Sequence, residues 1–100
     1  SELIPITTGN FVRLYADMSI DELREISNSA ANKVSGLLIL LSGSNGDYKY
    51  VISSRNMDLS ALAKDINSAL SGRGGGRGNM IQGSFYTDIE SIKAYFKIES

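Results

Sequence analysis

Five consecutive apolar residues, Leu37-Leu38-Ile39-Leu40-Leu41, constrain this chain more than any other stretch. The run is too short for a whole helix, and it offers solvent no polar position. A strand whose side chains alternate to two buried faces reads this way. Such a strand favours some cover on both faces of its sheet. The next six residues turn the chain back on itself. Ser42-Gly43-Ser44-Asn45-Gly46-Asp47 is dense in turn formers, and its Asn-Gly pair predicts a tight hairpin. The returning strand, Tyr48 to Ser53, puts Tyr48, Tyr50 and Ile52 on one side and Lys49, Val51 and Ser53 on the other.

Around this hairpin the chain reads in order. Ser1 to Gly9 is a linker or extended lead-in, and 10–100 is the domain proper. Phe11 to Ala16 alternates as a strand: Val12, Leu14 and Ala16 on one face, Phe11, Arg13 and Tyr15 on the other. Ser19 and Glu22 form a capping box that opens a helix. Leu23, Ile26, Ala30 and Val34 make its apolar stripe, Lys33 suits its C-terminal dipole, and Gly36 stops it. Its other face carries Arg24, Glu25, Asn28 and Asn32, and is expected to be solvated only. Asp58 is the expected N-cap of a second helix, striped by Leu59, Leu62, Ala63, Ile66, Ala69 and Leu70. Gly72 stands just past its end. Met80 to Tyr86 is strand-like, with Gly83 as a bulge or close-approach point. Thr87 and Glu90 spell a second capping box, and Ile89, Ile92 and Phe96 run along a last helix bearing Lys93 and Lys97.

The order β-α-β-β-α-β-α defines the fold class: α/β (α+β), a single domain with a mixed four- to five-stranded sheet and helices packed on it. The first two strands are expected to be parallel, joined by a right-handed crossover. The hairpin makes the third antiparallel. Two helices sharing one face, as in a split βαβ arrangement, leave the last for an edge or the other face. The 100 residues, 42% apolar and 21% charged, suit one globular domain.

One stretch does not obey these periodicities. Half of the ten glycines fall between Gly72 and Gly78, and Arg73 and Arg77 bracket Gly74-Gly75-Gly76. Such a run is expected to form a loop in which glycine, Gly75 included, takes positive φ. Its N–H groups could hold an anion in a nest, and the two guanidinium groups could add bidentate phosphate contacts. A flexible loop with two solvated charges carries equal weight. Asn79 and Gln82 either hydrogen-bond a ligand or tie down the loop's own backbone. Tyr48, Tyr50 and Tyr86 could stack on bases, but core or surface filling is the commoner use. A P-loop is excluded, because no Gly-Lys-Ser/Thr exists. Both dinucleotide frames fail: the sixth position is Arg77 counted from Gly72 and Asn79 counted from Gly74. A single short Arg-Gly-Gly tract inside a patterned domain is weak support for a disordered RNA-binding segment.

The chain has no cysteine and no histidine, which removes disulfides, thiolate nucleophiles, Ser-His triads and any ordinary zinc site. The eleven acids are scattered, with no Asp-x-Asp pair for a carboxylate Mg²⁺ site. Neither catalysis nor a cofactor is therefore expected in this chain. No apolar run approaches the ~18 residues of a membrane span, and no signal peptide is apparent, so the expected location is cytoplasmic. The start at Ser1 without methionine suggests processing or a piece of something longer. Net charge is −1, so any nucleic-acid contact must come from a local basic patch.

The stretch Leu70-Ser71-Gly72-Arg73-Gly74-Gly75-Gly76-Arg77-Gly78-Asn79-Met80-Ile81-Gln82-Gly83 resembles the hallmark of the DHHA1 domain, found in alanyl-tRNA synthetases, free-standing alanyl-tRNA editing proteins and DHH-type phosphoesterases. The resemblance spans roughly Asn10 to Ile98. Gly78 and Asn79 stand where the synthetase branch has Pro-Asp, and Ile81 where alanine is usual. Arg77 replaces the phosphoesterase branch's histidine. Met80-Ile81-Gln82-Gly83-Ser84 is most similar to the editing proteins. The resemblance implies an accessory module that binds tRNA, tRNA(Ala) above all, through Arg73, Gly74, Gly75, Gly76, Arg77, Asn79 and Gln82. It would present tRNA to an upstream editing or catalytic domain, where the parent's zinc belongs. Two alternatives stay open: a homodimerisation or docking module of the same parent, and the substrate-binding domain of a phosphoesterase.

Overall fold

The computed structural model describes residues 4–98. Its elements are β1 (Phe11–Tyr15), α1 (Ile20–Ala30), a 3-10 turn (Ala31–Lys33), β2 (Leu37–Ser44), β3 (Asp47–Ser54), α2 (Ser60–Ala69), β4 (Gly72–Arg77), β5 (Met80–Phe85) and α3 (Ile89–Tyr95). The five strands form one sheet in the order β1-β2-β3-β5-β4. β1 and β2 are parallel, and every other pair is antiparallel. The sheet is mixed, as its sequence order requires.

The two-faced strand is where the sequence places it. Leu38 and Leu40 of β2 join Leu23, Ala30, Val34 and Val51 in the core beneath α1. Ile39 and Leu41 join Tyr48, Tyr50, Ile52, Ile81 and Phe85 in the larger core beneath α2 and α3. Each fully buried leucine or isoleucine contributes about 1.5–3 kcal/mol. The first two helices thus lie on opposite faces, and α3 shares the face of α2. A shared face for α1 and α2 is therefore not what forms, for a physical reason: β2 has no polar face, so each side needs its own cover.

The ends of the elements correct several local readings. The Ser19–Glu22 capping box forms, with Glu22 N–H donating to Ser19 Oγ at 3.1 Å and Ser19 N–H to Glu22 Oε1 at 3.0 Å. However, α1 ends at Ala30 and passes into the 3-10 turn, so Val34 packs from beyond the helix. The N-cap of α2 falls on Leu59, and Asp58 instead accepts from Ser60 N–H at 3.0 Å. Ala69 of the expected stripe is exposed. After α2 the left-handed residue is Ser71, with φ 52°, so Gly72 is free to begin β4. The second capping box does not form: α3 is capped at Asp88, whose Oδ1 accepts from Ser91 Oγ. Of the stretch 1–9, the described part makes two attachments, while Pro5, Ile6, Thr8 and Gly9 are exposed. Ile4 is buried, and Thr7 bridges to Val34 in parallel.

Candidate nucleic-acid interface

The glycine stretch is not a loop. Gly72–Arg77 is strand β4 at the open edge of the sheet, and Gly78-Asn79 is the two-residue turn into β5. Gly78 has φ 69°, and Asn79 does not share a positive φ, which matches a type II′ hairpin turn with glycine first. Pairing with β5 overrides glycine's poor strand propensity. An extended strand sends successive N–H groups to opposite edges, so the expected nest does not assemble here.

The glycines have different reasons to be glycine. Gly74 lies at φ 147°, a conformation that residues with a side chain rarely adopt. Gly83 has ordinary φ, but an added Cβ would sit 2.0 Å from the Arg73 carbonyl oxygen and 2.8 Å from Gly74 Cα. It is therefore a close-approach point between two backbones. Gly75 has neither reason. Its φ is not positive, and nothing lies within 4 Å of an added Cβ. The expectation of positive φ at Gly75 is thus corrected: the neighbours carry that requirement, and Gly75 faces open space.

Three clefts meet at Gly75. One, of about 440 Å³, lies between α1 and the β4–β5 hairpin and is lined by Arg24, Asn28, Arg77, Asn79 and Gln82. A second, of about 460 Å³, lies over β5 beside Ile20 and Lys49. The third, of about 530 Å³, runs between α2 and β4 and is lined by Lys64, Asn67 and Arg73. Among the described residues their walls hold five cations, Arg24, Lys49, Lys64, Arg73 and Arg77, and no aspartate or glutamate. In a chain of net charge −1 this is a sharp local excess.

The structure sorts the anticipated residues. Arg73 and Arg77 stand about 13 Å apart along an extended strand. Arg77 lines the α1 cleft and Arg73 the α2 groove, so they are suited to separate phosphates. Asn79 is used structurally: its Nδ2 donates to the Ser54 carbonyl at 2.9 Å, and Ser54 N–H donates back to the Asn79 carbonyl at 2.9 Å. With Leu59 N–H donating to the Gly78 carbonyl at 2.7 Å, this pins the turn to the β3–α2 junction. Gln82 accepts from Arg24 Nη1 at 2.5 Å. Tyr48 and Tyr50 are buried, and Tyr86 is half exposed.

Sequence reasoning misses two residues. Arg24 belongs to the helix face expected to be solvated only. Its i, i+4 relation to Ile20 and Asn28 aims one ridge of α1 at β5, but no periodicity shows what faces that ridge. Asn67 is an unremarkable polar position in the sequence. In the fold its Oδ1 accepts from the Tyr50 hydroxyl at 2.9 Å, and its Nδ2 donates to the Gly74 carbonyl at 3.2 Å. Burial raises the Tyr50 hydroxyl's pKa above its ordinary 10.0, and the bond to Asn67 offsets part of that rise. Tyr50 also stacks on Phe85, with ring centroids 4.1 Å apart. The edge strand is thereby tied to the core through one side chain.

Fold and site together define a small α+β module whose cationic, glycine-built hairpin stands at an open sheet edge. The DHHA1 domain family matches residues 8–97, and the chain belongs to that family. Its fold is similar to the C-Ala domain of alanyl-tRNA synthetase from Aquifex aeolicus, with a TM-score of 0.65 at 18% identity over 90% of this chain and 87% of that one. No curated protein matches the chain.

Proposed function

We propose that this chain is an accessory tRNA-binding domain of an alanyl-tRNA editing protein or alanyl-tRNA synthetase. It holds tRNA, tRNA(Ala) in the first instance, for catalytic domains elsewhere in a cytoplasmic parent. One observation carries the reading: among the described residues, five cations and no carboxylate line the clefts around a glycine strand in an otherwise weakly acidic chain. Family membership and the C-Ala-like fold support it. RNA helices are recognised through phosphate and 2′-hydroxyl contacts, for which guanidinium groups spaced along one strand are suited. Deacylation or aminoacylation belongs to the parent's other domains, since histidine and cysteine are absent here and, among the described residues, no three acids gather as a metal site.

Salt titration of tRNA binding tests this. Removing one phosphate contact should lower the log–log salt slope by about 0.7 to 0.9. Arg73→Ala and Arg77→Ala should each remove about one such contact, and the double substitution about two. Affinity should fall about equally for tRNA(Ala) and other tRNAs, because phosphate contacts position RNA without reading it. A wild-type slope in the double variant would move the phosphate contacts off β4.

A further inference from the structure

We propose that the cleft between α1 and the β4–β5 hairpin takes one unpaired guanine of a single-stranded RNA segment, reading its O6/N7 edge with the Arg24–Gln82 pair. This deepens the RNA-binding reading and rests on it. The chemistry begins with one hydrogen bond. Arginine only donates, so the atom of Gln82 that meets Arg24 Nη1 is the carbonyl oxygen. That fixes the amide, leaving the Gln82 NH₂ group as a free donor beside the remaining guanidinium N–H groups. Arg77 adds further donors to the wall. The side-chain acceptors are Asn28 Oδ1 and Asn79 Oδ1, the latter because its Nδ2 is spent on the Ser54 carbonyl.

A donor-rich wall selects a base with two adjacent acceptors. Guanine presents O6 and N7 side by side. Adenine sets its N6 amino group against these donors and uracil offers O4 with no acceptor next to it, while unpaired cytosine, with N3 beside O2, is the competing base. No aromatic residue lines the cleft, so stacking, which is tolerant of sequence, does not dominate there. In an RNA duplex the O6/N7 edge lies in a deep, narrow groove that side chains do not enter, so the guanine must be unpaired. The volume of about 440 Å³ has room for a nucleotide and none for a helix. Gly75 explains itself in this setting. It pairs with Gln82 across the ladder and has open space above it, so the base approaches bare backbone. The phosphate of the same nucleotide then falls to Arg77.

Fluorescence anisotropy with short labelled oligouridines carrying one central variable base tests the proposal. Guanine should bind roughly tenfold tighter than adenine, the discrimination of one bidentate pair. Inosine, which keeps O6 and N7, should match guanine, and 7-deazaguanine should fall toward adenine. Gln82→Glu, which replaces the outward donor with an acceptor, and Arg24→Ala, on an exposed helix face, should each abolish the preference while salt-dependent binding persists and circular dichroism stays native. Equal affinity for guanine and adenine, or for guanine and cytosine, with salt dependence intact overturns the guanine site and leaves the phosphate reading standing. No binding of any oligonucleotide or of tRNA at low salt overturns both. Competition by free guanosine monophosphate as strong as by the oligonucleotide overturns the single-strand assignment in favour of a nucleotide ligand.

Discussion

The sheet contains two hairpins of the same plan and opposite composition. In the first, β2 and β3 meet at Asn45-Gly46, whose φ values of 53° and 79° make a type I′ turn, and both strands are walled in by core side chains. In the second, β4 and β5 meet at Gly78-Asn79, and only β5 contributes buried side chains, Ile81 and Phe85. The first hairpin is held by what its side chains exclude from water. The second is held by ladder bonds, by the Ser54–Asn79 exchange and by Asn67, because β4 has almost no side chains to bury. Stability and exposure of backbone are therefore divided between two hairpins that pair with each other through β3 and β5.

Substitutions in each hairpin should separate these properties, and the largest effect belongs to the first. Ile39→Ala should cost about 4 kcal/mol, read from denaturant unfolding, because the buried side chain leaves a cavity. RNA affinity of the remaining folded fraction should be unchanged. A drop in affinity beyond the unfolded fraction would break the division. Gly83→Ala should cost about 2–3 kcal/mol, since its methyl must displace the Arg73 carbonyl, and here affinity should fall with stability. Wild-type melting in that variant would show that β4 is not held against β5 as described.

A smaller effect joins the two hairpins. Tyr50 titrates above its ordinary 10.0 in the folded chain. A raised folded-state pKa means that its contribution is present below about pH 10 and lost as pH rises through the folded value. Tyr50→Phe should cost about 1 kcal/mol at neutral pH through the missing bond to Asn67, and should flatten the alkaline fall in melting temperature. An alkaline limb identical in both proteins would assign it to other groups. The smallest stability effect belongs to Gly75→Ala, within about 0.5 kcal/mol, because the methyl enters open space at an ordinary φ. Its RNA affinity should nonetheless fall by roughly tenfold, equivalent to about 1.4 kcal/mol. Unchanged affinity would show that no ligand approaches that backbone.

The first hairpin is almost wholly legible in the sequence, and the second is not. Leu37 to Leu41 has no polar position, and Asn-Gly is a strong local turn signal, so β2, its turn and β3 follow from a few residues. The apolar stripe of α2 is readable in the same way, apart from Ala69. β4 is hidden because periodicity is carried by side chains, and a glycine run has none; its strand state comes from pairing with β5. Which face each helix covers is also hidden, since Leu23 and Ile66 are equally apolar whichever side they meet. The motif residues Arg73 to Arg77 can be named from the sequence. Arg24 and Asn67 cannot, because each matters through a partner 58 or 7 residues away along the chain.

Both rims of the sheet carry arginine, and this bears on how copies of the chain behave at high concentration. Bare strand edges are templates for aggregation. β1 has Arg13 at its midpoint, with the guanidinium 5.2 Å from the Phe11 ring. Two copies of β4 meeting antiparallel would crowd four arginines onto one ladder. Glycine adds no apolar strip to offset that repulsion. Low ionic strength should strengthen that repulsion and disfavour pairing of β4 with a second β4.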